Sequence, residues 1–260
     1  MITPSRPLLM MILLMAAGCL RAQSPPTFVE HAAVPDFSKV EIKITRLADD
    51  FYTLEGVGGT RHFAKLGVLI FSRDQLRARL EHPAPGPDGS PGRSAPAGVL
   101  PVVTYDGPVT IHVNGEDVHL IPIRDAHTDG DTLVSFPGHD ILAVGDYFRS
   151  TGYPYVDLNN GGSLKGLLAA LDATIARAGP KTQIIPGHGP VVGRDALIKQ
   201  RDMVLAVRDR VAALVSQGKS LEDVIAAKPT AAFDAQVPQS AETAQQFIWW
   251  IYTEAKAAPK

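Results

Sequence analysis

Cysteine is almost missing from this chain: of 260 residues, only Cys19 is one. That excludes a disulfide framework, a cysteine-ligated metal cluster and a thiol nucleophile in the body of the protein. Charge of one sign is missing too. The 25 Lys and Arg stand against 27 Asp and Glu, a net charge of -2, which provides no electrostatic basis for a nucleic-acid or anionic-membrane partner. Beyond the N-terminal segment no apolar run approaches the roughly 20 residues that span a bilayer. What is present is an ordinary globular balance, 45% hydrophobic and 20% charged, which suits a folded chain of one large or two small domains rather than a disordered one.

The N-terminus differs in kind. Arg6 precedes an apolar stretch from Leu8 to Ala17, followed by small residues. A basic start, a short apolar centre and a small-residue exit make residues 1–22 a secretory signal. Two exits compete. Ala16-Ala17-Gly18-Cys19 resembles a lipobox that would lipidate Cys19, and cleavage after Ala22 would release the chain. The expected location is accordingly exported, either periplasmic or anchored as a membrane lipoprotein.

From residue 39 to 260 strands and helices mix. Val40, Ile42 and Ile44 alternate, and Phe51 and Leu54 follow Asp49-Asp50, which reads as a strand, a turn and a strand. Phe63 to Leu66 reads as a short helix leading into a buried strand, Val68 to Phe71, and Asp74 to Leu80 as a helix. Residues 81–98 hold five prolines and read as a flexible surface loop. Val109, Ile111 and Val113 alternate up to Asn114-Gly115, the pair favoured in a type I′ hairpin, and the chain returns through Val118 and Leu120. Strands at Thr132 to Phe136 and Ile141 to Val144, a helix from Ser163 to Ala178 and a strand at Gln183 to Ile185 follow. The remainder is helical: Asp195 to Ser216, Ser220 to Ala227, and Ala241 to Ala255, whose Phe247 to Tyr252 run reads as core. A sheet covered by helices is implied, an α/β class.

Three motifs put metal-competent side chains where strands end in glycine-rich turns. They are Ala126-His127-Thr128-Asp129-Gly130-Asp131-Thr132, then Val144-Gly145-Asp146, then Pro186-Gly187-His188-Gly189-Pro190. Imidazole and carboxylate match the preferences of zinc, at roughly 2.0–2.2 Å from the metal. Each motif alone is weak, since Asp after a strand is a routine turn residue. Their ordered set is far more specific.

That set resembles the later metal motifs of the metallo-β-lactamase superfamily. Tyr153-Pro154-Tyr155-Val156-Asp157-Leu158 with Gly161-Gly162-Ser163, and Gly218-Lys219-Ser220-Leu221-Glu222-Asp223, resemble its exported hydrolases. The resemblance implies an αββα sandwich with metals at one edge. It implies that His127 completes a first zinc site, that His188 belongs to a second, and that Asp146 bridges the two. It implies that Tyr153 and Tyr155 line the site mouth, although packing explains them equally well. The implied reaction is attack by metal-bound hydroxide on a small-molecule ester, thioester, lactone or lactam.

The departure from that pattern is large. His-x-His-x-Asp-His, the family's first motif, occurs nowhere in the chain. It should precede the segment Gly58-Gly59-Thr60-Arg61-His62-Phe63, which here follows Glu55-Gly56-Val57 directly. We infer that several dozen residues are missing at a shared Gly-Gly, leaving the sandwich incomplete in its N-terminal half. No catalytic residue is assigned on this basis. One zinc at most is expected, held by His127, Asp146 and His188, where intact relatives hold two. An open sheet edge and self-association through it are expected as well. The other histidines, His31, His62, His82, His112, His119 and His139, read as structural or solvent-facing, with His62 the least unlikely substitute ligand.

Overall fold

The computed structural model describes residues 43–46, 52–55, 69–85 and 90–257. The signal segment with Cys19, His31, the Gly58-Gly59 junction, His62 and the helix expected at Phe63 to Leu66 lie outside the described residues.

Two small sheets come first. The strands β1 (Lys43–Arg46) and β2 (Tyr52–Glu55) pair antiparallel, as the alternation predicts. The strand β3 (Phe71–Arg73) runs directly into helix α1 (Asp74–Glu81) and pairs in parallel with β4 (Val103–Tyr105). This corrects the expected buried strand at Val68 to Phe71. Pairing begins only at Phe71, and Leu69 is 64% exposed. The proline-rich connection leaves α1 and is tied back to it: Ala95 N–H donates to the Leu80 carbonyl and the Ser94 hydroxyl to that of Glu81.

The larger sheet has five strands in the order β5-β6-β7-β8-β9. Strands β5 (Val109–Val113) and β6 (Glu116–Pro122) form the hairpin that Asn114-Gly115 predicts. Both turn residues have positive φ, 53° and 76°, as the primed turn requires. β7 (Thr132–Phe136) and β8 (Ile141–Arg149) continue antiparallel, and β9 (Gln183–His188) lies parallel to β8. A parallel neighbour demands a crossover, and helix α2 (Leu164–Arg177) provides it. Ser163 caps that helix through a hydrogen bond from Gly166 N–H, 2.9 Å, and Leu164, Leu167, Leu171 and Ile175 form its buried stripe.

Helix α3 (Arg194–Ser216) packs on α2. Its buried Leu197, Gln200, Val204, Val207 and Val211 recur at the three- and four-residue spacing of a helix packed on a neighbour. α4 (Leu221–Ala226) begins with a reciprocal capping box between Ser220 and Asp223. α5 (Ser240–Ala257) buries Phe247, Ile248, Trp250 and Ile251. The aromatic run is therefore core, as read from the sequence. Among the described residues no helix is long and apolar enough to cross a membrane.

Together these elements form a mixed α/β architecture: one helix-covered five-stranded sheet, with α1 and the two short strand pairs from the N-terminal half.

One contact joins the ends of the helical layer. Leu164 N–H, at the start of α2, donates to the Glu254 carboxylate of α5 at 2.6 Å. Burial raises the Glu254 pKa, opposed by that hydrogen bond. A raised carboxyl favours folding most below the unfolded-state pKa, and this contribution is lost as pH rises through the folded-state value. The stability of the wild type minus that of Glu254→Gln should therefore fall with rising pH across the carboxylate range, about pH 3 to 7. Denaturant unfolding at several pH values measures it, and a flat difference would rule the contact out as a titrating one.

Candidate metal centre

His127 stands on a loop built to hold its own backbone. The Asp131 carboxylate accepts the His127 N–H at 2.7 Å, the Thr128 N–H at 3.1 Å and the Thr128 hydroxyl at 2.9 Å. Thr128 Oγ1 in turn accepts the Gly130 N–H. Burial raises the Asp131 pKa, and its hydrogen bonds with Thr128 are the chief opposing influence. The neck of the loop closes through Ile123 N–H to the Asp131 carbonyl at 3.0 Å. Asp125, entering the loop, takes φ 52°, a conformation uncommon for a side-chain-bearing residue.

A second loop locks into the first. Asp157 N–H donates to the His127 carbonyl, Asp129 N–H to that of Asn160, and Ser163 N–H to that of Ala126. The Asp157 carboxylate accepts Asn159 and Asn160 N–H groups and holds its own turn. Gly162 has no room for a side chain, because a Cβ there would overlap the His127 carbonyl. His127 Nδ1 lies 3.0 Å from the Tyr155 carbonyl. A carbonyl only accepts, so Nδ1 carries the hydrogen and Nε2 of the neutral ring keeps a lone pair for a metal.

Asp146 and His188 come together by another route. The β8–β9 register shifts at Gly145, whose φ is 60°, and the extra twist of that irregularity re-aims the residue after it. Gly145-Asp146 therefore lies inside β8, where the sequence predicted a strand end at Val144. Likewise β9 extends through His188 rather than ending at Ile185. His188 Nε2 stands 3.3 Å from Asp146 Oδ1, with both side chains about half exposed.

The structure thus joins two of the three expected ligands. Among the described residues no group of three or more His, Cys, Asp or Glu side chains is arranged to hold a metal ion. The donor types suit zinc, but as folded the set does not fit an ion held by three protein ligands. No catalytic step is derived through a metal for that reason.

Of the two tyrosines, Tyr153 is wholly buried. Its ring stacks on Phe247 at 4.9 Å and its hydroxyl donates to Asp234 at 2.6 Å. Packing accounts for it: with no exposed surface, Tyr153 lies in the core and not at the expected site mouth. Tyr155 is half-buried beside the His127 ring, with centroids 5.4 Å apart. Of the remaining described histidines, His82 caps the end of α1, its N–H donating to the Ala78 carbonyl, and three serve the hairpin: His112 meets Asp117, His119 meets Thr110, and His139 meets Glu116 at 2.8 Å.

Sequence reasoning missed the residues that brace the His127 loop from outside. Arg73 and Arg79 lie 58 and 50 residues before their respective partners Asp131 and Asp129, and no local pattern announces such contacts.

No protein-family model and no curated protein matches the sequence. Solved structures do. The inverting sec-alkylsulfatase Pisa1 from Pseudomonas sp. superposes with a TM-score of 0.50 at 16% identity, over 79% of this chain and 41% of that one. The BLEG-1 B3 metallo-β-lactamase matches with a TM-score of 0.45 at 18% identity, over 54% and 66%. TTHA1623 in a di-iron-bound form matches with a TM-score of 0.42 at 22% identity, over 55% and 69%. The chain thus spans less than two thirds of the first two. The alkylsulfatase likeness is one of fold alone, and it agrees with the mixed α/β architecture described above.

Gly187 carries the test of this geometry. A Cβ at 187 would overlap Asp146 Oδ1 and the Gly145 backbone. Gly187→Ala should therefore displace the Asp146 carboxylate from His188 and destabilise the protein by about 1–3 kcal/mol, as overpacking does. Unfolding curves and amide spectra of Asp146 and His188 report both effects. Unchanged spectra would show that the close approach is not needed.

Proposed function

We propose that this chain is a hydrolase-type protein of metallo-β-lactamase fold whose action on a small ester, thioester, lactone or lactam is impaired by loss of the first metal motif. The observation that supports this most directly is the pairing of Asp146, at the irregularity inside β8, with His188 at the end of the parallel neighbouring strand β9. Two such side chains bind zinc weakly unless a third joins them. His127, whose Nε2 keeps a lone pair, is the third donor in this reading once the half-exposed Asp146 and His188 side chains turn towards it. The spacing of two metals in such sites, about 3.5–4 Å, is small enough that ligands drawn from both positions can share one ion.

Export belongs to the same proposal, through residues 1–22, with lipid at Cys19 or cleavage after Ala22. So does a small-molecule substrate. Self-association through the sheet edge is proposed on β5, which among the described residues has only β6 beside it and carries an exposed Val113. Val113→Lys should shift any dimer towards monomer in size-exclusion chromatography without changing the circular dichroism. A profile unmoved by the charge would discard the edge.

The second reading, a non-catalytic degenerate relative, rests on the missing His-x-His-x-Asp-His. Calorimetry with zinc on metal-stripped protein separates the two. Weak uptake of at most one ion, reduced in each of His127→Ala, Asp146→Ala and His188→Ala, is the expected result. No uptake by the wild type would leave the non-catalytic reading standing.

A further inference from the structure

The loop that carries His127 is braced from a part of the chain that contributes no candidate ligand. Arg73 ends β3 and is 1% exposed. Its Nη1 donates to the Ile123 carbonyl at 3.0 Å and the Asp131 carbonyl at 3.3 Å, the two sides of the loop's neck. Its Nη2 pairs with the Asp106 carboxylate, which Arg124 also meets at 3.3 Å. One and a half turns along α1, Arg79 pairs with Asp129 at the loop's tip, and Leu76 and Arg79 both lie against Gly130.

We infer that Arg73 and Arg79 are positioning residues, which clamp the neck and tip of the 124–130 loop so that its single imidazole is presented in one orientation. The physical case has three parts. A buried guanidinium is costly unless its hydrogens are used; Arg73 directs Nη1 to the two carbonyls where the loop leaves and rejoins the sheet and Nη2 to Asp106, and leaves its Nε without a partner among the described residues. A planar fork can span two carbonyls and a carboxylate at once, which an ammonium cannot. A loop so short, closed at the neck and held at the tip, has little freedom left to turn His127 away from Tyr155. Asp131 holds the loop from within, so the arginines act on a frame already made.

The inference rests on the reading of His127 as a surviving ligand for its purpose, but its test needs no metal. Amide hydrogen exchange and the imidazole ¹⁵N signals are measured on the metal-free full chain. Arg79 is partly exposed, so Arg79→Ala should fold. It should raise exchange at His127, Thr128 and Gly130 by about two- to fivefold, the scale of one lost partly exposed ion pair, and broaden the His127 Nδ1 signal. Arg79→Lys, which keeps the charge, should restore most of the protection. Asp146, His188 and the melting temperature should barely move. Arg73→Lys should loosen the neck at Asp131 in the same manner.

A loop whose exchange and ring signal are unchanged in Arg79→Ala would overturn the clamp. So would a rise spread evenly over the whole chain, because that reports stability alone. If Arg73→Lys does not fold, the Arg79 pair of variants decides the matter. Absence of zinc binding by the wild type would overturn the proposed function and leave the clamp to stand or fall on these signals.

Discussion

The carboxylate of Asp131 is the interaction on which the candidate site depends. It takes three hydrogen bonds from His127 and Thr128 while largely withdrawn from water. Buried polar groups are tolerable only when paired, so the loop and its carboxylate stabilise each other or neither forms. The Asp157 turn then fastens the same loop from the other side. Its fit requires Gly162 at one point of contact, and Gly166 where α2 crosses the Asp125 backbone. His127 is held by this network before any ligand is considered.

Asp146 and His188 are held in a different way, by strands. The parallel pair β8–β9 is the best-buried part of the sheet, with Ile184 and Val144 wholly inside. The irregular register at Gly145 turns one residue of that rigid pair outwards, and the glycine at 187 admits its carboxylate. A rigid core next to a locally bent strand end is a common way to place functional side chains. It explains why these two residues meet although they are 42 positions apart in the sequence, and why their approach is sensitive to a single methyl group.

The contrast between the two arrangements bears on function. The two arrangements draw on different halves of the chain. Here the second half is well formed, with helices α2, α3 and α5 covering its sheet. From the first half, the described residues keep β3, α1 and their arginines, which brace the loop without adding a donor. Among the described residues, then, the fold holds the His127 loop and pairs Asp146 with His188 without gathering the three side chains into one group.

Local chemistry made much of this legible in advance. Asn114-Gly115 announced its hairpin because only such residues accept two successive left-handed conformations, and Ser163 and Ser220 announced helix starts because their hydroxyls satisfy free N–H groups. The motif residues His127, Asp146 and His188, and the absence of His-x-His-x-Asp-His, were equally plain from the linear order. What tertiary structure alone decided was proximity and access. It joined Asp146 to His188, left His127 outside any three-ligand group among the described residues, and sank Tyr153 into the core behind Phe247. It also carried β8 through Gly145 and brought Arg73 and Arg79 to a loop 50 residues away. Turns and caps depend on neighbours in sequence, whereas strand register and long-range ion pairs depend on which surfaces pack, and that is set by the whole chain at once.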